Sequence, residues 1–559
     1  MTQRKQQSFE YGAIILIVST SLVKIIGAIF KIPLSNLIGD LGFGYFSSAY
    51  DLYIPIYALA MAGLPIAVSR VVAEHMAAGR YRDVRLSLRI ARRCFIITGA
   101  VGFVLMLILI WPFVRLTDST GKTIYSLFAI APSIFICCIM SIYRGYYEGL
   151  RNMYPTATSD VIEALGKLIL GYGFAFAVMK ISGDVALAAA GAMLGITVGA
   201  MLAAVYLRLR YRFKGDMITR QELSAAPAPM NSRSAMKILI AIAVPVVITS
   251  LANNVASLVD VSMVKWQLTN MMGKHSGTIK EMYAASIADY TALSDKVLTA
   301  KDIPTFLYGI RGKVFTVYNL IPTITSVLGV SALPVLASAW VTHDKGAIKR
   351  NIESILKLTA LIVMPAGAGL VALGGPIMGL LYESTASVEI GGPMMRIFGL
   401  AAIFAGLSIP MTSMLQAIGK QMVPVKNIAV GVLIKIVVNF ILVGIPAINI
   451  KGASVGTLAC YFFIFCANLF GLIRYAKVVP NINKVFIKPL TAAALCGLAA
   501  YFVALQGEGK LITIAAIAAA AVIYLVALIL LNTFEEEDFL SLPKGETLLK
   551  VCKKCKIVR

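Results

Sequence analysis

Long apolar runs alternate with short polar connections along nearly the whole chain. Fourteen runs stand out, at roughly 11–37, 43–69, 90–114, 123–147, 156–179, 185–207, 237–265, 311–340, 354–381, 391–418, 424–446, 451–474, 486–505 and 511–532. About 20 helical residues cross about 30 Å of hydrocarbon, and a helix satisfies its own backbone hydrogen bonds on the way. The pattern therefore predicts an all-α polytopic membrane protein with about 14 transmembrane helices. One connection breaks the rhythm. Residues 266–310 are polar and mixed in charge, with a short helix expected at Ile279–Ala292.

Charge sorts the connections by parity. The second carries Arg70, Arg80, Arg82, Arg85, Arg89, Arg92 and Arg93, and the sixth Arg208, Arg210, Arg212, Lys214, Arg220, Arg233 and Lys237. The eighth has Lys345, Lys349 and Arg350, and the twelfth Arg474, Lys477, Lys484 and Lys488. Odd connections are poor in cations: Asp40 in the first, Glu383 and Glu389 in the ninth, Glu508 with Lys510 in the thirteenth. Lys/Arg excess marks the cytoplasmic side, so both termini are expected in the cytoplasm of a bacterial cell, with residues 266–310 outside. Arg4 and Lys5 precede an uncleaved first span, because its apolar run continues past Phe30 without a small-residue cleavage site.

Composition agrees. The 559 residues are 59% hydrophobic and 14% charged, against about 45–50% and about 25% in soluble domains. The net charge of +24 belongs to the short connections and not to a nucleic-acid surface, since no nucleic-acid-binding motif accompanies it. Six of the eight cysteines lie in or beside apolar runs, where Cys is a small hydrophobe. The tail pair Cys552 and Cys555 has CxxC spacing but no second pair, so it reads as part of a solvated basic tail.

Two features recur six runs apart. GLRNMYP (Gly149–Pro155) follows the fourth run and GKQMVP (Gly419–Pro424) the tenth; GAMLG (Gly191–Gly195) lies in the sixth and GASVG (Gly452–Gly456) in the twelfth. Six is even, so both copies enter the membrane from the same side. The expected plan is an N-lobe at 1–210, a linker at 211–236, a C-lobe at 237–475, two extra spans at 476–532 and a tail at 533–559. It amounts to two pseudo-symmetric six-helix lobes plus two C-terminal helices.

Polar residues inside the runs are the candidate chemistry. Lys24 and Lys31, seven apart, share one face of the first run with Gly27 between them. A lysine at mid-bilayer costs roughly 2.5–3.5 kcal/mol, which calls for a wet cavity, a partner or a nearby interface. Asp160, Glu163 and Lys167 follow at i, i+3, i+7, with Glu163 and Lys167 spaced to pair. Asp51 lies beside Tyr50, Tyr53 and Tyr57. The seventh run carries Asn253, Ser257 and Asp260 on one face, and the eighth Thr316, Asn319, Thr323 and Ser326, interrupted by Pro322; the eleventh has Lys435 and Asn439 at i, i+4. A hydrated cavity between the lobes with cationic N-lobe walls accounts for the stripes together. Such walls suit a phosphate or pyrophosphate. Ordinary helix-packing seams are the competing explanation for each stripe taken alone.

The segments AMAGLPIAVSRVVAEH (Ala60–His75), YRGYYEG (Tyr143–Gly149), SDVIEALGKL (Ser159–Leu168) and SALPVLASAW with IVMPAGAGLVALGGPIMGLLY (Ser331–Tyr382) resemble polysaccharide-biosynthesis flippases of the MATE-like (MOP) superfamily. Within it, the group nearest in pattern is that of stage V sporulation protein B and the MurJ-type lipid II flippases. The resemblance covers roughly residues 10–530. It implies alternating access that moves a lipid-linked sugar pyrophosphate, lipid II, between leaflets, with two extra helices forming a groove for a lipid tail. Its implied partners are the bilayer, an oligosaccharide on polyprenyl pyrophosphate and cell-wall synthesis proteins. By the same resemblance Lys24 takes the place of a cavity arginine; Lys31, Asp51, Glu163, Lys167 and Asn319 join it as substrate-cavity candidates from their places in the polar stripes. Asp260 is similar to an acidic residue that binds sodium in some members, with Lys435 and Asn439 at the spacing of further ligands. A lysine in place of a neutral ligand argues for an internal counter-ion and against sodium, so no cofactor is expected. The chain is expected to transport and not to catalyse. The alternatives are a MATE-type cation/drug antiporter, which the paired lysines of the first run oppose, and a membrane polysaccharide polymerase or ligase using the 266–310 segment.

Overall fold

A computed structural model describes residues 9–61, 63–216, 218–294, 297–507, 509–531 and 533. Arg4, Lys5, Glu508 and the Cys552–Cys555 tail lie outside the described residues, as do the side chains of Asn253 and Ser257. No strand occurs among the described residues. The helices are α1 (Phe9–Met61), α2 (Leu64–Ala77), α3 (Tyr81–Thr117), α4 (Thr123–Gly149), α5 (Tyr154–Gly166), α6 (Tyr172–Ser182) and α7 (Val185–Lys214). Next come α8 (Arg220–Ala225), α9 (Ser232–Met282), α10 (Ala284–Ser294), α11 (Ile303–Tyr318), α12 (Leu320–Val341) and α13 (Lys345–Ala372). The remainder are α14 (Gly374–Leu381), α15 (Thr385–Glu389), α16 (Gly391–Ala417), α17 (Met422–Val443), α18 (Gly452–Ala476), α19 (Lys488–Ala504) and α20 (Lys510–Leu530).

Among the described residues, eleven helical stretches are long and apolar enough to cross a membrane. The first, Val18–Ala77, has 60 residues, about 90 Å at 1.5 Å per residue and far more than one crossing needs. Its backbone leaves helical geometry at Gly39 (φ 68°, ψ −177°). The expected runs at 237–265 and 311–340 are helical, in α9 and in α11 with α12, but are not among the eleven. An all-α polytopic architecture stands; a count of fourteen does not follow from it. The 266–310 segment is largely helical: α9 continues through it to Met282, and α10 covers most of the expected short helix.

The chain divides into two compact units. One holds the residues up to Gly273 together with Leu298–Gly309; the other holds Lys274–Val297 and everything from Ile310. This differs from the expected lobe boundary at 237. In the first unit Ala235 of α9 packs with Leu86 and Ile90 of α3. Further along, α9 closes with α1 and α3 around an apolar cavity of about 530 Å³ lined by Leu59, Val101, Ile240 and Val244. The start of α11 belongs to the same unit because glycines let it touch α1. A Cβ on Gly44 would collide with the Thr305 carbonyl, and one on Gly309 with that of Asp40.

Local structure repeats as the sequence motifs do. After α4, Arg151 N–H bonds Glu148 O and Asn152 N–H bonds Tyr147 O; after α16, Gly419 bonds Gln416 O and Lys420 bonds Leu415 O. Both are left-handed helix ends of the Schellman type, with Arg151 at φ 57° and Gly419 at φ 78°. Gly79 with Arg80 ends α2 in the same way, and His343 ends α12 with φ 55°. The small-residue motifs also pack alike. Gly191 and Gly195 lie against Phe174 and Gly171, while Gly452 and Gly456 lie against α17 at Leu442 and Asn439.

Candidate functional site

The polar residues of the first unit gather around Tyr50. Between α5 and α6 the helix widens into a π-turn, Lys167–Gly171. This turn has a packing cause. A Cβ on Gly166 would stand 2.6 Å from Gly199 Cα, and one on Gly195 would collide with Gly171. On α7 the contacts are four residues apart, at Gly195 and Gly199; on the facing strip they are five apart, at Gly166 and Gly171. Five residues return to one face only if the helix carries one extra residue, which a π-turn supplies. Lys167 opens that turn.

Its ammonium lies 4.9 Å from the centre of the Tyr50 ring and 5.4 Å from that of Phe30, and donates to the Tyr50 hydroxyl at 3.4 Å. Lys31, half-buried, lies 5.0 Å from the same Tyr50 ring. One aromatic ring thus holds two ammonium groups, each contact contributing about 0.5–2 kcal/mol. Lys24, on the same face of α1, is exposed.

Glu163 does not take Lys167 as its partner. Arg144 of α4 reaches both carboxylates of α5, Asp160 at 2.9 Å and Glu163 at 3.0 Å, and donates through Nε to Ser159 Oγ at 2.8 Å. A planar fork serves two carboxylates and a hydroxyl at once; an ammonium at the start of a π-turn does not. Arg144 is the residue that spacing alone missed. It stood inside the quoted YRGYYEG motif, but its partners come from another helix, and no periodicity within α4 points to them. Arg144 thus occupies Asp160 and Glu163, while the ammonium groups of Lys31 and Lys167 remain on the Tyr50 ring.

Asp51 is turned elsewhere. Tyr308 donates to its carboxylate at 2.5 Å. Nearby, Lys265 is fully buried and donates to Ser48 Oγ at 2.7 Å, with its ammonium 5.4 Å from the Tyr308 ring. Between α3 and α4, Asp118 accepts from Thr120 and Thr123, from the backbone N–H and hydroxyl of each. Burial alone would push the Asp118 carboxyl up, but the Lys265 ammonium and these bonds hold it below the usual carboxylate range. Tyr45 joins the group, its hydroxyl 3.2 Å from that of Thr120 and donating to Asp302 at 3.4 Å. Asp260 is also buried in this unit.

The remaining candidates belong to the second unit. Asn319 stands, half-buried, at the break between α11 and α12, one turn before Pro322, whose missing N–H leaves the Tyr318 carbonyl without a helical donor; Asn319 N–H bonds Phe315 O and Thr323 N–H bonds Asn319 O across the break. Thr316 and Ser326 donate back to their own helix, at Gly312 and Thr323 carbonyls. Asn439 is fully buried against Gly456 of α18, where a Cβ would strike its amide oxygen; Lys435 is half-buried one turn earlier. This is a helix-packing seam within the unit. Buried cations also occur here: Lys313 donates to Ser387 Oγ at 3.2 Å and lies 5.1 Å from the Tyr382 ring, and Arg311 lies 5.6 Å from that of Phe315. Among the described residues, no group of three His, Cys, Asp or Glu side chains is placed to hold a metal.

The described residues form an all-α polytopic membrane protein with cations gathered on an aromatic ring, and comparison with known proteins gives its class. Residues 11–292 match the family described as polysaccharide biosynthesis protein, and residues 317–530 the one described as lipid II flippase MurJ. The chain belongs to the polysaccharide-biosynthesis family of MOP-superfamily flippases. It is 24% identical to the lipid II flippase MurJ of Bacillus subtilis over 508 residues, 87% of each chain. It is also 24% identical to stage V sporulation protein B of that organism, over 96% of this chain and 98% of the other. Among solved structures it resembles a lipid II flippase MurJ in an inward closed conformation (TM-score 0.64, 14% identity, 92% of this chain and 98% of that one). It also resembles an inward-facing multidrug-resistance MATE transporter (TM-score 0.58, 15% identity, 82% and 98%).

Proposed function

We propose that the chain is a flippase that carries a lipid-linked sugar pyrophosphate, the peptidoglycan precursor lipid II, across the cytoplasmic membrane by alternating access. The carrying observation is the Tyr50 ring held by Lys31 and Lys167 while Arg144 occupies both nearby carboxylates. These two ammonium groups are positioned to grip a pyrophosphate, whose charge is concentrated and multidentate. The polyprenyl tail remains in lipid throughout, and no bond is made or broken. Sodium is not required in this reading, because Asn439 is committed to the Gly456 seam and Lys435 brings a positive charge to it.

The decisive experiment is growth rescue in bacteria depleted of their lipid II flippase, paired with flipping of defined lipid-linked sugars in liposomes. Rescue by the parent chain and at least 10-fold slower flipping by Lys31→Leu/Lys167→Leu at equal expression support the proposal. Full flipping by that variant rejects it. The likeness to a MATE transporter and the carboxylates Asp160 and Glu163 favour a second reading, a cation/drug antiporter. Proton- or sodium-driven uptake of a cationic dye, without any lipid flipping, would select it.

A further inference from the structure

The second unit repeats the first in register. In α1 the Ser48 hydroxyl donates to Gly44 O at 2.6 Å, and in α11 the Thr316 hydroxyl donates to Gly312 O at 2.9 Å. Two residues on, YDLYIP (Tyr50–Pro55) answers to YNLIP (Tyr318–Pro322). The Schellman ends set Arg151 against Gly419. A Cβ on Gly191 of α7 would stand 3.0 Å from Phe174 O and 3.3 Å from Ala175 N; one on Gly452 of α18 would stand 2.9 Å from Leu442 C and 3.0 Å from Val443 N. One turn along, Gly195 meets Gly171 and Gly456 meets Asn439. All of these pairs, 48 with 316, 50 with 318, 151 with 419, 171 with 439 and 174 with 442, are 268 positions apart. Hydrogen bonds, helix ends and helix-packing contacts give that one shift independently, so it matches structure and not merely composition.

The same shift carries Lys167 onto Lys435 and Tyr50 onto Tyr318. Lys167 is the residue whose ammonium lies on the Tyr50 ring. Lys435 sits half-buried in the apolar helix α17, where an ammonium calls for water, a partner or a ligand. The carboxylates of the first unit are not repeated with it. Asp160 and Glu163 fall on Ile428 and Gly431, and α17 carries no Asp or Glu. Their clamp recurs in neutral form. Where Arg144 donates to Ser159, the corresponding Thr412 and Asn427 are joined through Asn468, at 3.1 and 2.8 Å. Tyr318 is fully buried against Phe315 and Phe398, and its hydroxyl makes no hydrogen bond among the described residues. A buried hydroxyl in that condition asks for a partner that a ligand can supply. The second unit thus has the lysine and the tyrosine with neutral neighbours, and an anion meets no carboxylate on α17.

We propose that Lys435, with Tyr318, is an anion-binding position of the second unit, the counterpart of Lys167 on Tyr50, and that its ligand is a pyrophosphate. The ligand class rests on the pyrophosphate reading of Lys31 and Lys167. The competing role for Lys435 is the internal counter-ion to Asp260 expected from the sequence. The test titrates the purified full chain in detergent with inorganic pyrophosphate and follows its melting temperature. Pyrophosphate raises that of the parent. Lys435→Gln and Lys435→Met melt like the parent without it and need about 10-fold more for the same rise, as the loss of one charge-assisted contact predicts. Lys435→Arg keeps the charge and stays within about threefold of the parent. Asp260→Asn/Lys435→Gln remains as weak as Lys435→Gln. Parent-like binding by Lys435→Gln and Lys435→Met overturns the proposal, and so does recovery in the Asp260→Asn double variant, which is the counter-ion outcome. A parent that does not bind pyrophosphate overturns it together with the reading of Lys31 and Lys167. Binding that needs Lys435, in a chain that flips no lipid II in liposomes, refutes lipid II as the cargo and leaves this position standing.

Discussion

Arg144 shows what a single residue contributes here. Its guanidinium holds Asp160 and Glu163 together at side-chain exposures of 14%, 21% and 30%. Removing it leaves two carboxylates about one helical turn apart with no shared cation. Breaking a buried pair costs 3–5 kcal/mol, and partial exposure lowers this to about 1–3 kcal/mol. Arg144→Gln should therefore melt several degrees lower in detergent, and Asp160→Asn/Glu163→Gln added to it should recover most of the loss. A triple variant as unstable as the single one would show that Arg144 acts through something other than these carboxylates. Tyr50 gives a second, separable expectation. Tyr50→Phe keeps the ring and loses only the long 3.4 Å bond from Lys167, so flipping falls less than threefold. Tyr50→Leu loses both cation–ring contacts, about 1–2 kcal/mol, and flipping falls about 10-fold. Equal effects of the two substitutions would mean that the hydroxyl, not the ring, positions the lysines. The lysines themselves were legible in the sequence, because an ammonium in an apolar run is costly unless the fold provides for it. Their geometry was not, because Tyr50 lies 19 residues beyond Lys31 in α1, past the break at Gly39.

At the scale of elements, the turns can be compared in pairs. Arg151 and Gly419 occupy the same position in two Schellman ends, one with a Cβ and one without. A left-handed conformation costs a non-glycine residue about 1–2 kcal/mol. Arg151→Gly should thus stabilise by about 0.5–1 kcal/mol, the unfolded chain's extra freedom offsetting part of the relief. Gly419→Ala should destabilise by a similar amount or more. Opposite shifts in melting temperature confirm the equivalence; shifts of the same sign refute it. The recurrence of GLRNMYP and GKQMVP was visible in the sequence as a Gly and a Pro around each helix end, although the glycines do not correspond: Gly149 is the last residue of α4 and Arg151 holds the position of Gly419. The π-turn at Lys167 was not, since it arises from glycine contacts between α5–α6 and α7, which no single run encodes. For the same reason the i, i+4 spacing of Glu163 and Lys167 misled: it assumes an uninterrupted α-helix. Near the expected lobe boundary at 237, α9 continues through that position and packs on α3, a tertiary contact that no single run encodes.

For the whole molecule, charge is what bears on orientation. The cation clusters fall on even-numbered connections of the expected plan, and α3 shows why they stay there. Its first turns bury Val84, Leu86, Leu88 and Ile90 while Arg82, Arg85, Arg89, Arg92 and Arg93 are exposed. Dragging five solvated guanidinium groups through hydrocarbon at roughly 2.5–3.5 kcal/mol each is prohibitive. That end of the helix is thereby fixed to the side on which it was synthesised. The consequence can be measured in intact cells with a membrane-impermeant thiol reagent, using a background from which the native cysteines have been replaced. Lys122→Cys and Ser182→Cys, exposed on odd connections, should react at once. Arg89→Cys and Lys345→Cys, exposed on the basic side, should react only after permeabilisation. The inverse pattern would place both termini outside. Labelling of both sets would mean that the cation asymmetry is too weak to orient the chain, despite its net charge of +24.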